Sequence, residues 1–396
     1  MNYILFDDIN RKHLLPFTHT RPVADIRCGI LTMRERWELC LQQATGSLTQ
    51  PYLSHVFPTG NTADAWYVNG GVFATYALVM AIQALQPGQA LVKGNDIIAA
   101  RLTDTIHDLA AFYHHTATLP AQYFDQDTFL LQRPWDIFAM NDRAIREDYA
   151  LITNGRKSAA IPAGVIVTGA EHIFIEEGAN IYAGSIINAT TGPVYIGKDV
   201  EILEGCMLRG PLAVCEHGVL KMGAKVYGAT TIGPGCKAGG EISNVVFFAN
   251  SNKGHDGFLG NAVIGEWCNL GADTNCSNLK NNYDEVKVWS EAEDKLVRTG
   301  LTFCGLLMGD HSKCSINSMF NTGTVTGVSC NIFGGGFPEK FVPSFSWGMG
   351  ADITTYAFDK AMETANRMMA RRGKKLSDAE TEMYRHIFEH TKAQRN

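Results

Sequence analysis

From residue 196 an aliphatic side chain recurs at every sixth position: Ile196, Ile202, Leu208, Val214, Leu220, Val226 and Ile232. A period of six matches neither the 3.6-residue turn of a helix nor the two-residue alternation of a strand. It fits a β-solenoid whose coil has three short sides, each sending one apolar side chain inward, with about 18 residues per coil. Other stretches keep the period in other phases: Ile175, Ile181 and Ile187 before the run, and Phe258, Ile264, Leu270 and Cys276 after it. Met308, Cys314, Phe320, Thr326 and Ile332 extend it further. Glycine directly follows several of these positions, as in Ile196-Gly197 and Ile264-Gly265, where a corner crowds any side chain. A β-sandwich would alternate in twos and lose phase. The repeat is interrupted at Ser251–Gly260 and at Asn278–Gly300. The second stretch is polar and charged and predicts a projecting loop or hairpin.

Residues 1–155 have a different texture. Tyr3–Phe6 predicts a short strand that ends at Asp7-Asp8. Leu31–Gln43 predicts a helix with Leu31, Trp37 and Leu39 inward, and Thr75–Leu85 a second, stopped by Gln86-Pro87-Gly88. Ala90–Val92 predicts a strand, and Trp135–Ile145 a helix. The order of strands in the sheet does not follow from the pattern. In the tail, Ala361, Ala365, Met368 and Met369 predict one helix, and Ser377-Asp378-Ala379-Glu380 is a capping box that opens another.

Composition narrows the function classes. The 396 residues carry a net charge of −6, which disfavours a nucleic-acid partner. No run approaches the length of a membrane span. The N-terminus turns acidic too early for a secretory signal. Ten scattered cysteines with no Cys-x-x-Cys suggest reduced thiols and a cytoplasmic location. The 39 glycines fit a solenoid with many tight corners.

Candidate chemistry concentrates at the first interruption. Ser251-Asn252-Lys253-Gly254-His255-Asp256-Gly257 leaves the repeat with a polar, glycine-flanked His-Asp pair. His255 suits a general base, since imidazole titrates near neutrality. Zinc is the rival reading, with His172, His217, His255 and His311 as donors, but none of them forms a closely spaced pair.

The stretch from Lys253-Gly254-His255 through Phe258-Leu259-Gly260, Ile264-Gly265 and Asn269-x-Gly271-Ala272 resembles the acetyltransferase half of the bifunctional GlmU family. That family joins N-acetylglucosamine-1-phosphate uridylyltransferase to glucosamine-1-phosphate N-acetyltransferase. Strings such as Met308-Gly309-Asp310-His311-Ser312-Lys313 resemble a divergent GlmU-like group from Bacteroidetes-type bacteria, over nearly the whole chain. The resemblance implies an α/β nucleotidyltransferase-like domain over 1–155, a left-handed parallel β-helix over 156–345 and a helical tail over 346–396. It implies a cytoplasmic homotrimer whose active sites lie between subunits. It makes His255 the base and Asn269 a sugar contact, and sets Asn278 on the Asn of a family Cys-Asn-Tyr-Asp loop; in the transferase reading Asn278 binds substrate and Lys253 or Lys287 holds the sugar phosphate. Two departures stand out. A family tyrosine near the catalytic His is Phe258, and the Gly-x-Gly-Thr-Arg-Met phosphate loop is absent from the N-terminal half. In its place Arg21 is the candidate for nucleotide phosphate, and Asp7, Asp8 and Asp96 are candidate Mg²⁺ ligands.

These readings point to an acetyl-CoA-dependent transferase acting on glucosamine 1-phosphate or a similar amino sugar, with a UDP-N-acetylglucosamine diphosphorylase activity in the N-terminal half. Its partners would be a sugar phosphate, an acyl-CoA and a nucleoside triphosphate, with no membrane involved. A sugar-1-phosphate nucleotidyltransferase with a purely structural solenoid, and a non-catalytic sugar-nucleotide-binding protein, are the alternatives.

Overall fold

A computed structural model describes residues 2–395. The chain divides into two compact units. One comprises residues 2–26, 31–133 and 377–386, the other residues 27–30, 134–376 and 387–395.

The first unit is built on a six-stranded mixed sheet. Its strands are β1 (Asn2–Phe6), β2 (Gly46–Leu48), β3 (Ala65–Asn69), β4 (Gln89–Lys93), β5 (Asp96–Leu102) and β6 (Ala121–Tyr123), in the order β2-β1-β3-β5-β4-β6. β1 runs parallel to β2 and β3, while β5 is antiparallel to β3 and β4. Both faces of β1 and β3 are covered. Tyr3, Leu5, Trp66 and Val68 feed one core, and Ile4, Phe6, Ala65 and Tyr67 feed the other. This is the period-two alternation of a strand buried on both sides. Helix Met33–Leu41 starts at a Thr32–Glu35 capping box. Trp37 is inward as expected, but Leu39 is 49% exposed and Leu31 only half-buried; Met33 and Leu41 fill the core instead. Helix Tyr76–Gln83 fulfils the second expectation.

The second unit is a parallel β-helix with three sides, followed by helix Phe358–Ala370. Side one runs through Ile186–Asn188, Met207–Arg209 and Lys225–Tyr227, and side two through Val194–Ile196, Leu212–Val214 and Thr230–Ile232. Side three runs through Glu201–Ile202, Val219–Leu220 and Lys237–Ala238. All seven aliphatics of the main six-residue run are at most 3% exposed and share one core. The fold is the three-sided parallel β-helix that the six-residue period predicts. Past residue 240 the phase slips. Strands Glu241–Phe247 and Phe258–Ile264 turn the corner between sides one and two without a break, on Asn244 and Asn261 in left-handed backbone. Leu259, not Phe258, therefore points inward. Left-handed backbone is tolerated by asparagine better than by most side chains.

The charged interruption is a hairpin, Lys287–Ser290 against Lys295–Arg298. It does not project freely. Val286 and Val288 are fully buried, and Trp289 stacks on Phe341 with ring centroids 5.5 Å apart.

Helix Asn141–Thr153 packs with the solenoid: Asn141 Nδ2 donates to Ala229 O (2.8 Å) and Thr231 Oγ1 (3.1 Å). The packing boundary thus falls near residue 133, earlier than the 155 read from texture. The tail forms helices Phe358–Ala370 and Asp378–His390, the second opened by the Ser377–Glu380 capping box. Met362 is buried, whereas Met368 is only partly so. Among the described residues no helix is long and apolar enough to cross a membrane.

Candidate functional site

The chain leaves side three of each coil at an inward residue and then turns a corner. In successive coils these corners begin at Leu203, Lys221, Gly239, Gly254 and Gly271. Stacked, they make an open groove of about 450 Å³ lined by Leu203, Lys221, Met222, Gly240, His255 and Asp273, with Asp256 beside His255. His255 is exposed there, on the turn that follows strand Asn252–Lys253.

Backbone on three sides fixes that turn. Gly240, at φ +74°, lies beneath it; a Cβ there would stand 2.7 Å from Gly257 O and 2.9 Å from His255 O. Gly257, at φ +106°, lies against the next coil, and its Cβ would come within 2.2 Å of Thr274 O. Phe258 N donates to Asn275 Oδ1 at 2.8 Å. Both glycines are required by close approach as well as by backbone conformation.

Lys253 is 1% exposed, and its ammonium donates to Gly239 O (3.1 Å), His255 O (2.9 Å) and Asp256 O (3.2 Å). All three ammonium donors are committed. The expectation that Lys253 holds a sugar phosphate is therefore corrected, because the residue is buried and its donors are all spent on main-chain carbonyls. Lys221 is the cation that lines the groove, its Cε 3.8 Å from where a Gly254 Cβ would be. Counting coils would have found it, since Lys221 and Gly254 occupy equivalent corners.

The remaining expected contacts are spread out. Asn269 accepts from Asn252 Nδ2 (2.9 Å) on side three. Asn278 Nδ2 donates to Asn261 Oδ1 (2.8 Å) at a different corner, and Lys287 is exposed on the hairpin. None of the three lines the His255 groove. The Asn261 corner opens instead onto a second groove of about 560 Å³, bordered by Phe138, Asp142, Asn244 and Phe303.

In the first unit, ligands of open α/β sheets collect at the carboxyl ends of the strands. Asp8 and Asn69 meet at that edge, with Asn69 Nδ2 donating to Asp8 Oδ2 (3.0 Å) and to Ile97 O (3.2 Å). Asn69-Gly70-Gly71, where β3 ends, went unread in the sequence, although a glycine pair ending a strand signals close backbone approach. Asp96 has its pKa raised by burial and by the Asp8 charge. Asp7 is sequestered. It pairs with Arg11 (3.0 Å) and accepts from Thr49 Oγ1 (2.5 Å) and Val23 N (2.8 Å), while burial pushes its pKa up. Arg21 is buried and partnered. Among the described residues no group of three or more His, Cys, Asp or Glu is placed to hold a metal. Of the expected Mg²⁺ ligands, Asp7 thus does not fit a metal centre, since its carboxylate is already saturated by protein donors, while Asp8 and Asp96 lie near each other at the strand edge.

Comparison with known proteins adds the class. Residues 3–157 match the family model of sugar nucleotidyl transferases. An uncharacterized acetyltransferase, YaiX of Escherichia coli O6:K15:H31, is 24% identical over 180 residues, 45% of this chain and 77% of that protein. The bifunctional protein GlmU of Methanocaldococcus jannaschii is 28% identical over 200 residues, 50% of this chain but 42% of that protein. Among solved structures, the polySia-specific acetyltransferase NeuO aligns with 53% of this chain and 96% of its own, at 14% identity and a TM-score of 0.28. The N-terminal unit is nucleotidyltransferase-like, and by class the chain is a transferase.

Proposed function

We propose that the chain is an acetyl-CoA-dependent sugar N-acetyltransferase acting at the His255 groove. The observation that carries this reading is an exposed imidazole on a rigidly held turn, facing an open groove with a lysine on its wall. His255 accepts a proton from the sugar amine as nitrogen attacks the thioester carbonyl. The N–C bond forms, the C–S bond breaks, and the imidazolium returns its proton to the departing CoA thiolate. Backbone N–H groups steady the oxyanion. Lys221 replaces Lys253 as the partner for an acceptor phosphate. The acceptor class is an amino sugar phosphate or nucleotide, such as glucosamine 1-phosphate. The site works in a homotrimer, where a neighbouring copy closes the open side of the groove.

The test is release of free CoA from acetyl-CoA on addition of glucosamine 1-phosphate, followed by a panel of other amino sugars. Amine-dependent release supports the reading; no release with any amino sugar overturns it.

A second reading, sugar-1-phosphate nucleotidyl transfer in the first unit, is favoured by the family match over residues 3–157. Pyrophosphate release from UTP or dTTP with a sugar phosphate separates it from the first.

A further inference from the structure

Lys253 stands where the core wants an apolar side chain. Strand register sets it beside Ala238 and level with Leu270, in the column of Ile181, Ile202, Leu220, Cys314 and Ile332. Every other member of that column is buried and apolar. A charge buried there is unfavourable unless all its donors are used. The three carbonyls that use them belong to Gly239, on the corner below, and to His255 and Asp256, on the turn itself. Strand continuity does not explain the arrangement, because the column holds without a charge in the other coils. Departures from local rules of this kind gather at functional sites.

We infer that Lys253 is a positioning residue for His255, an ammonium that reaches out of the solenoid core and fixes the catalytic turn through its backbone carbonyls. The inference rests on the acetyltransferase reading for what the turn is held for, but not for the holding itself. The imidazole is free to act because the anchor grips main chain and leaves the ring untouched. Gly240 below and Thr274 above fix the height of the turn, and Lys253 fixes its depth.

Burial lowers the Lys253 pKa to about 8, against the pull of Asp256, Asp273 and Cys314. Those groups, His255 and the nearby Lys221 are the titratable side chains around it. A neutral amine loses one donor and the charge that strengthens the other two.

The test pairs kinetics with hydrogen exchange on the full chain. Lys253→Met fills the column and should leave exchange of the 212–214 strand unchanged while amides 254–258 exchange faster. Its kcat should fall by about 10- to 100-fold, the effect of small misplacement, with the KM for acetyl-CoA little changed. The wild type should show a loss of kcat on raising pH through about 8 that the Met variant lacks. Lys253→Gln, which keeps an amide donor, should recover part of kcat. Unchanged exchange at 254–258, or unchanged kcat in Lys253→Met, would overturn the inference. If the wild type transfers no acetyl group, the functional reading has failed, and exchange at 254–258 alone decides whether Lys253 holds the turn.

Discussion

Lys253 gives this protein an unusual pH dependence of stability. Its folded pKa of about 8 lies below the ordinary 10.5, so between these values this residue binds its proton more fully in the unfolded chain than in the folded one. The Lys253 contribution to the unfolding free energy therefore rises with pH across that window, opposite in sign to that of the buried cysteines, whose raised pKa values cost stability above about pH 9. The penalty of the buried charge is fully present below pH 8 and lifted by about 10.5. Its size is on the order of 3 kcal/mol. Lys253→Met lacks the penalty, so its stability advantage over wild type should shrink as pH rises from 8 to 10.5. Denaturant titrations at several pH values measure this, and parallel pH curves for the two proteins would contradict it. Gly240 gives a second test at the same scale. Gly240→Ala combines left-handed backbone with contacts below 3 Å to the His255 turn, and should cost about 1–3 kcal/mol. The loss should appear as a lower denaturant midpoint with an unchanged slope.

At the scale of elements, the hairpin at 287–298 behaves as part of the solenoid wall. Val286 and Val288 are buried, and Gly323 beneath them has no room for a Cβ, which would lie 2.6 Å from Lys287 O. Val286→Ala and Val288→Ala should each destabilise the protein by about 1.5 kcal/mol, from two lost methyl groups. Chemical denaturation gives the value, and a neutral result would mean that the hairpin is detached in solution. Its charged sequence suggested a free loop because the buried valines, Val286 and Val288, stand among mostly polar positions. The solenoid was legible because each coil contacts only its neighbours, so its period is written locally, from Ile196 to Ile232. The order of strands in the six-stranded sheet was not, because β1 pairs with strands more than 40 residues away in one case and about 60 in the other. The candidate site was half legible. The register break marked His255, but Lys221 and Met222 belong to the groove only once coils are stacked, and the inward direction of Lys253 depends on coils that shorten past Ala238.

At the scale of the whole molecule, two boundaries coexist. The family match ends at 157, while packing assigns helix Asn141–Thr153 to the solenoid unit. The solenoid also exposes an apolar row on side one, Ile166, Ile186 and Met207 in register, and Met222 stands 70% exposed in the His255 groove. A trimer that covers such surfaces is the expected state, and light scattering should give three times the 43.4 kDa chain mass. A stable monomer at micromolar concentration would remove the shared site. The most direct measurement remains steady-state acetyl transfer by wild type and His255→Ala, with acetyl-CoA affinity measured in parallel. The account expects transfer to fall by about 10²- to 10⁴-fold, the range for a lost general base, with acetyl-CoA affinity and fold retained. Equal turnover by the two proteins would contradict it.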